Sequence, residues 1–190
     1  MSTLFENQAP RPLADRLRPD NLSEVVGQDH LLDEDAPIGR MTASGRLISV
    51  ILWGPPGTGK TTIARLLAAY TDMYFSPLSA VFSGVADLRK VFDEAKQRRE
   101  MGQGTLLFID EIHRFNKSQQ DGFLPYVEDG TVVLIGATTE NPSFELNAAL
   151  LSRAQVLVLN RLDDAAMEQL IARAETEVGR TLPTDKEARA

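Results

Sequence analysis

One hundred and ninety residues, 43% of them hydrophobic and 25% charged, suffice for one globular domain, or one domain and part of a second. With 27 acidic against 20 basic side chains the net charge is −7, so any DNA contact must be local or built from cations that an assembly aligns. The absence of cysteine removes disulfides, thiolate chemistry and sulfur-ligated zinc, and His30 and His113 stand too far apart in sequence to suggest a histidine metal site.

The opening MSTLFENQAPRP has no basic region followed by an apolar one, and no apolar run approaches the roughly 20 residues of a membrane-spanning helix. A soluble cytoplasmic protein is expected. Residues 1–20, rich in Pro, Arg and Asn, read as an extended N-terminal arm. Ser23 is placed to cap a short helix through Val25 and Val26 that Gly27 ends, and 33–45 reads as a polar connector. From residue 48 strands and helices alternate. ISVILW (48–53) suits a buried parallel strand, and Ile63, Leu66, Leu67 and Tyr70 give 60–71 helical spacing. MYFSPLSA (73–80) is a second, weaker strand. Val85, Leu88, Val91, Phe92 and Ala95 make one stripe along a helix over 85–100. TLLFID (105–110), TVVLIGAT (131–138) and VLVL (156–159) complete five strands, with a helix over 117–128. Such alternation predicts an α/β fold, a five-stranded parallel sheet between helices. After Leu162 a capped helix with Met167, Leu170, Ile171 and Ala174 on one face reads as the start of a second, helical domain, since one helix cannot bury its own apolar face.

Directly after the first strand stands Gly54-Pro55-Pro56-Gly57-Thr58-Gly59-Lys60-Thr61, followed by Thr62. It fits G-x-x-x-x-G-K-[ST] between a strand and a helix, the context that motif requires. Its glycines let successive N–H groups face phosphate oxygens, and the helix N-terminus beyond favours an anion. Lys60 would reach the β- and γ-phosphates of ATP, and the Thr61 hydroxyl would take one position on Mg²⁺. A second source of carboxylate is needed, and LLFIDE (106–111) ends a predicted strand with two acids. Carboxyl ends of parallel strands share the edge on which the P-loop lies. Asp110 would act on Mg²⁺ through water, and Glu111 would polarise the attacking water.

GPPGTGKTT, FIDEIH, GATTENP and LLSR, in that order, resemble an AAA+ ATPase. LADRLRPDNLSEVVGQDHLL resembles the segment leading into the nucleotide pocket in the clamp-loader and RuvB-like branch. HRFNKSQQD and GATTENPSFELNAALLSRA resemble, within that branch, the family of the replication-associated recombination and Werner-helicase-interacting proteins. The resemblance covers about residues 11–162. It implies an AAA+ core over 21–162, with 163–190 the start of a helical lid that the chain does not complete. It implies Thr139 as sensor 1, with Thr138 the alternative, and Arg153 as an arginine finger reaching a neighbouring subunit's nucleotide. Arg18, Pro19, Val26 and Gly27 would line the adenine side, and Ser79 would hold Glu111 idle. The lid's second arginine sensor and the family's oligomerisation region are not in this sequence. The implied activity is that of a DNA-dependent ATPase in fork maintenance, recombination and repair. It would work as a homo-oligomer on forks, single-strand/double-strand junctions or ends, associated with the nucleoid, with a single-strand-binding protein as a further partner. A Holliday-junction motor, a clamp-loader subunit and a nucleotide-sensing scaffold without useful turnover are the alternatives.

The remaining polar features read more plainly. Trp53 is a packing residue, His30 a surface histidine, and the KQRR cations (96–99) a solvated helix face. Phe115 and Phe144 read as local core plugs. His113 invites the role of general base, but Glu111 already fills it, so His113 reads as a residue behind Glu111 or at a subunit interface, and the run through Asp121 as a family-specific surface.

Overall fold

The structure, a computed structural model, describes residues 12–181. Before the sheet come three short helices, α1 (Leu13–Arg16), α2 (Asp29–Leu32) and α3 (Pro37–Ser44). Then β1 (Val50–Trp53), α4 (Lys60–Tyr70), β2 (Tyr74–Ser79), α5 (Val85–Glu100) and β3 (Thr105–Asp110) follow in strict alternation. The chain continues through α6 (Lys117–Glu128), β4 (Val133–Thr138), α7 (Pro142–Glu145), α8 (Ala148–Leu151), β5 (Gln155–Val158) and α9 (Asp164–Val178).

The five strands form one sheet in the order β2-β3-β4-β1-β5, and every neighbouring pair is parallel. Flanked by β4 and β5, β1 is an interior strand and is fully covered along Val50, Ile51 and Leu52. The two-residue period of a strand splits the core into two layers. Val50 and Leu52, with Leu106, Phe108, Ile135 and Ala137, pack toward α4 and the N-terminal helices. Ile51, with Leu107, Ile109 and Leu134, packs toward α5, α6 and α8. Pro77 sits in β2, which pairs with β3 alone, as a residue without an N–H must at a sheet edge.

Several expectations are corrected. The supposed connector 33–45 contains α3, started by Pro37 and ended by Gly45 at φ 63°, with Ile38 and Met41 buried under the sheet. The region around Ser23 is a three-residue 3₁₀ turn, Leu22–Glu24, and Val25 is already extended. Of the arm, residues 1–11 lie outside the described residues, while 13–16 form a helical turn. On α9, Met167 is exposed, and the buried side chains are Ala166 and Ala174, placed around the half-buried Leu170. Among the described residues no helix is long and apolar enough to cross a membrane.

Candidate nucleotide site

The turn between β1 and α4 owes its path to two glycines. Gly57 and Gly59 sit at φ 77° and 93°, a left-handed region that side chains resist, and nothing lies within 4 Å of where a Cβ would stand at either. The glycine at 54 has a different cause: a Cβ there would fall 2.5 Å from the carbonyl oxygen of Leu159, so the loop and the end of β5 are in direct backbone contact. Lys60 opens α4, and its Nζ donates to the carbonyls of Gly54 and Pro55, both at 2.7 Å. Burial pulls the Lys60 ammonium below its ordinary range, while the carboxylates of Glu111 and Asp110 oppose the shift.

One cavity gathers the chemistry from separate stretches of chain. It is lined by Pro56 through Thr62 of the loop and helix, by Asp110 and Glu111 at the end of β3, and by Thr139 just past β4. Thr138 stands behind Thr139, fully buried, and does not line it. Arg18, Pro19 and Val26, expected on the adenine side, also line this cavity. Gly27, Gly54 and Pro55 do not. Gly27 serves packing instead: at φ 75° it lets the chain pass where a Cβ would meet Leu162 at 2.8 Å and Ala166 at 3.3 Å.

Sequence reasoning missed the other wall. Leu170 and Arg173 in the middle of α9 and Leu162 in the strap before it line the cavity together with Leu17 and Val25. Arg173 donates to the backbone carbonyl of Glu24, and Arg16 pairs with Glu177, so α9 is clasped to the segment carrying Arg18 and Pro19. The apolar stripe read along this helix included Leu170 but not its place on the cavity, which only the elements packed across from it reveal.

Glu111 is in the left-handed region at φ 52°, one of two non-glycine residues so placed among those described. Its carboxylate lies beside His113, with Oε2 3.3 Å from Nδ1, and no hydrogen bond links it to Ser79. Arg153 is not at this cavity. It projects from the end of α8, donates to Ala149 and Ser152, and pairs with Glu128 on the surface.

The run from His113 to Asp121 is a surface in part: Arg114, Asn116, Lys117, Ser118 and Asp121 are exposed, but two of its residues turn inward. Phe115 is buried against Phe123, and Gln120 is 1% exposed. Phe144 is the reverse, 82% exposed and no core plug. Of the KQRR cations, Lys96 and Arg99 are on an exposed helix face, as read, while Arg98 is largely covered, stacked on Tyr74 at 3.7 Å and paired with Glu94. His30 touches the Val158 carbonyl, which adds no chemistry.

The ATPase family associated with various cellular activities (AAA) matches residues 50–162, the stretch that carries the cavity's loop, strand ends and Arg153. The chain belongs to the AAA family. It is 53% identical over 174 residues to replication-associated recombination protein A of Escherichia coli K12, covering 92% of this chain and 39% of that protein. It is 48% identical over 171 residues to ATPase WRNIP1 of Dictyostelium discoideum, covering 90% of this chain and 20% of that protein. The chain therefore spans about two fifths of the length of its bacterial relative. Among solved structures, the Thermotoga maritima RuvB Holliday junction branch migration motor superposes with a TM-score of 0.71 at 30% identity, over 86% of this chain and 55% of that one.

The donor set of this AAA ATPase suits a magnesium ion delivered with a nucleotide. Thr61 and Asp110 are oxygen donors on the same cavity, and no group of three or more His, Cys, Asp or Glu among the described residues forms a cage of its own. Magnesium keeps much of its shell as water and phosphate and needs few protein ligands.

Proposed function

We propose that this AAA ATPase binds and hydrolyses ATP with Mg²⁺, and that its turnover is DNA-dependent and serves replication-fork maintenance, recombination and repair. The observation that carries the reading is the meeting of Lys60, Thr61, Asp110, Glu111 and Thr139 on one cavity. The loop from Gly54 to Thr62 cradles the phosphates, with its backbone N–H groups and the start of α4 facing the anion. Lys60 shifts from the Gly54 and Pro55 carbonyls to phosphate oxygens. Bound Mg²⁺ would offset negative charge on the phosphates, with Thr61 holding it directly and Asp110 through water. Glu111 orients and polarises the attacking water, and Thr139 contacts the γ-phosphate. Arg18, Pro19 and Val26 hold the base side by apolar and backbone contact.

Arg153 acts on the nucleotide of an adjacent subunit in a homo-oligomer, which fits its position away from its own cavity. Residues 21–162 form the ATPase core, and the stretch from 163 onward begins a helical lid. The partners are DNA forks, single-strand/double-strand junctions or ends, in the cytoplasm on the nucleoid, with a single-strand-binding protein alongside. Similarity to the recombination protein and to WRNIP1 supports this setting over junction migration or clamp loading, because the identity is higher than to RuvB.

The test is steady-state phosphate release with and without forked DNA for the wild type, Lys60→Ala and Glu111→Gln. Stimulation by forks and loss of turnover in both variants are expected. Equal phosphate release in all three proteins would sink the reading. Retained binding with no wild-type turnover would favour a nucleotide-sensing scaffold.

A further inference from the structure

His113 is 8% exposed in its side chain and occupies the gap between the ends of β3 and β4. Its Nδ1 lies 2.9 Å from Thr138 Oγ1 and 3.3 Å from Glu111 Oε2. The neighbours of Thr138 decide which group carries the proton. A hydroxyl has one hydrogen to give and two lone pairs to receive. Thr138 Oγ1 donates that hydrogen to the Glu140 carbonyl at 3.2 Å and accepts the Glu140 N–H at 3.0 Å. The remaining lone pair faces His113, and with Glu111 Oε2 3.3 Å from the same nitrogen Nδ1 stands between two acceptors, the setting that favours a proton on Nδ1. The same N–H then points between Thr138 and the Glu111 carboxylate, an acceptor in either case.

This arrangement has a mechanical consequence. Glu111 is at φ 52°, a conformation that costs roughly 1–3 kcal/mol and is held only by what surrounds it. Its backbone is fixed on one side by the Asp110 carboxylate, which accepts the Glu111 N–H at 3.1 Å, and on the other by Arg114, whose N–H reaches the Glu111 carbonyl at 2.8 Å. Its side chain is one-third exposed, with His113 3.3 Å from the carboxylate and Lys60 near enough to feel its charge. Thr138, which holds the imidazole, is bonded in sequence to Thr139 on the cavity wall. The carboxylate at the end of β3 is thus referred to the end of β4 through a single buried ring.

We propose that His113 is a positioning residue for Glu111: locked by Thr138 in its Nδ1–H form, it sets the carboxylate's orientation and ties it to the strand end that bears Thr139. The proposal rests on the reading of Glu111 as the group that polarises water. Ser79, which the resemblance expects to hold Glu111 idle, makes no hydrogen bond to it, whereas His113 stands 3.3 Å from its carboxylate and would hold it for reaction. A histidine is suited to it because its ring is rigid and Nδ1–H is a directed donor.

The test compares His113→Phe, which keeps the bulk and removes the donor, with His113→Asn, whose amide nitrogen can stand near the Nδ1 position. Single-turnover and steady-state ATP hydrolysis are measured with forked DNA, beside the affinity of a fluorescent ATP analogue. His113→Phe should lower kcat about tenfold to a hundredfold, the scale of a misplaced catalytic group, with KM and analogue affinity within about twofold. His113→Asn should recover most of that loss. In a Glu111→Gln background, His113→Phe should cost nothing further, because the two act as one unit. Turnover lost in Glu111→Gln but unchanged in His113→Phe overturns this proposal and leaves the hydrolysis reading intact. A loss in His113→Phe that Asn does not recover, or that adds fully to Glu111→Gln, also overturns it. Turnover insensitive to Glu111→Gln overturns the hydrolysis reading, and this proposal with it.

Discussion

Gln28 and Asn160 pair in both directions, although 132 residues separate them. Gln28 Nε2 donates to the Asn160 carbonyl at 2.8 Å, and the Asn160 N–H returns a bond to Gln28 Oε1 at 3.0 Å. The same Nε2 lies 3.4 Å from the carbonyl of Thr58 in the phosphate loop. A fully buried side chain thus joins the N-terminal segment, the phosphate loop and the strap into α9. Gln28→Ala should cost about 2–3 kcal/mol, since backbone groups of Asn160 are left without partners in a closed site. Denaturant unfolding measures the loss, and nucleotide affinity should fall with it. A variant of wild-type stability would show that water replaces the amide at no cost.

Gln120 does the corresponding work on the other side of the sheet. Its Nε2 donates to the carbonyls of Phe115 and Glu145, and its Oε1 accepts the N–H of Asn147. Asp121 takes a hydrogen bond from the Asn147 amide, and Asn147 caps α8. The stretch HRFNKSQQD therefore runs from the Glu111 neighbour to the helix that presents Arg153. Gln120→Leu keeps the volume but orphans three backbone groups, and should lower stability by about 2–4 kcal/mol. Its thermal midpoint should drop more than that of Gln119→Leu, which breaks an exposed capping box worth about 1 kcal/mol.

These two glutamines show why part of the molecule is illegible in the sequence. The helix α5 can be read to its last residue, because Leu88, Phe92 and Ala95 repeat at helical spacing and Gly102 follows. The phosphate loop can be read because its chemistry is local to eight residues. Gln28 and Gln120 lie in polar runs, and their partners are backbone groups on elements that only the fold brings near. Nothing in a one-dimensional pattern separates a buried glutamine from a solvated one. A place behind Glu111 could be read for His113, but its partner could not, since Thr138 is 25 residues away and resembles any strand-end threonine. The reverse error occurs at Phe144 and Met167, where apolar chemistry suggested burial and the packing left both exposed.

Gly54 offers a test of close approach instead of hydrogen bonding. Gly54→Ala places a methyl group 2.5 Å from the Leu159 carbonyl oxygen and 3.0 Å from the Leu159 side chain. Backbone has to move, so the expected cost is about 1–3 kcal/mol, with weaker nucleotide binding as the loop is pushed off β5. A calorimetric binding titration alongside thermal unfolding separates the two effects. Wild-type affinity at reduced stability would show that the loop recovers its path.

Acid stability should carry a signature of Asp129. Hydrogen bonds from the Thr131 hydroxyl and from the Thr131 N–H, the latter at 2.7 Å, hold its carboxyl below the usual carboxylate range, helped by Arg99 and Lys96. A lowered folded value means that the contribution is complete above the unfolded value, near pH 4, and is lost as pH falls through the folded one. The group is largely solvated, so the effect stays below about 1 kcal/mol. Asp129→Asn should be less stable than the wild type at neutral pH and converge with it in acid. Denaturation midpoints taken across that range check the sign, and a gap that widens toward low pH would contradict it.

Arg153 can be tested for action in trans. Its guanidinium pairs with Glu128, and both side chains are more than a third exposed, so the pair itself contributes roughly 0–1 kcal/mol. Arg153→Ala should therefore leave the thermal midpoint and nucleotide affinity almost unchanged. If the residue completes a neighbour's site, turnover should fall by a factor on the order of 10³, the scale of an arginine finger. Mixing then separates trans from cis. Arg153→Ala subunits keep an intact cavity but supply no finger, whereas Glu111→Gln subunits supply the finger to a neighbour while their own cavity is inactive. A mixture of the two should hydrolyse ATP well above either alone, because the first kind of cavity meets the second kind's arginine. Additive residual rates across all ratios would mean that Arg153 only braces Glu128 at the end of α6.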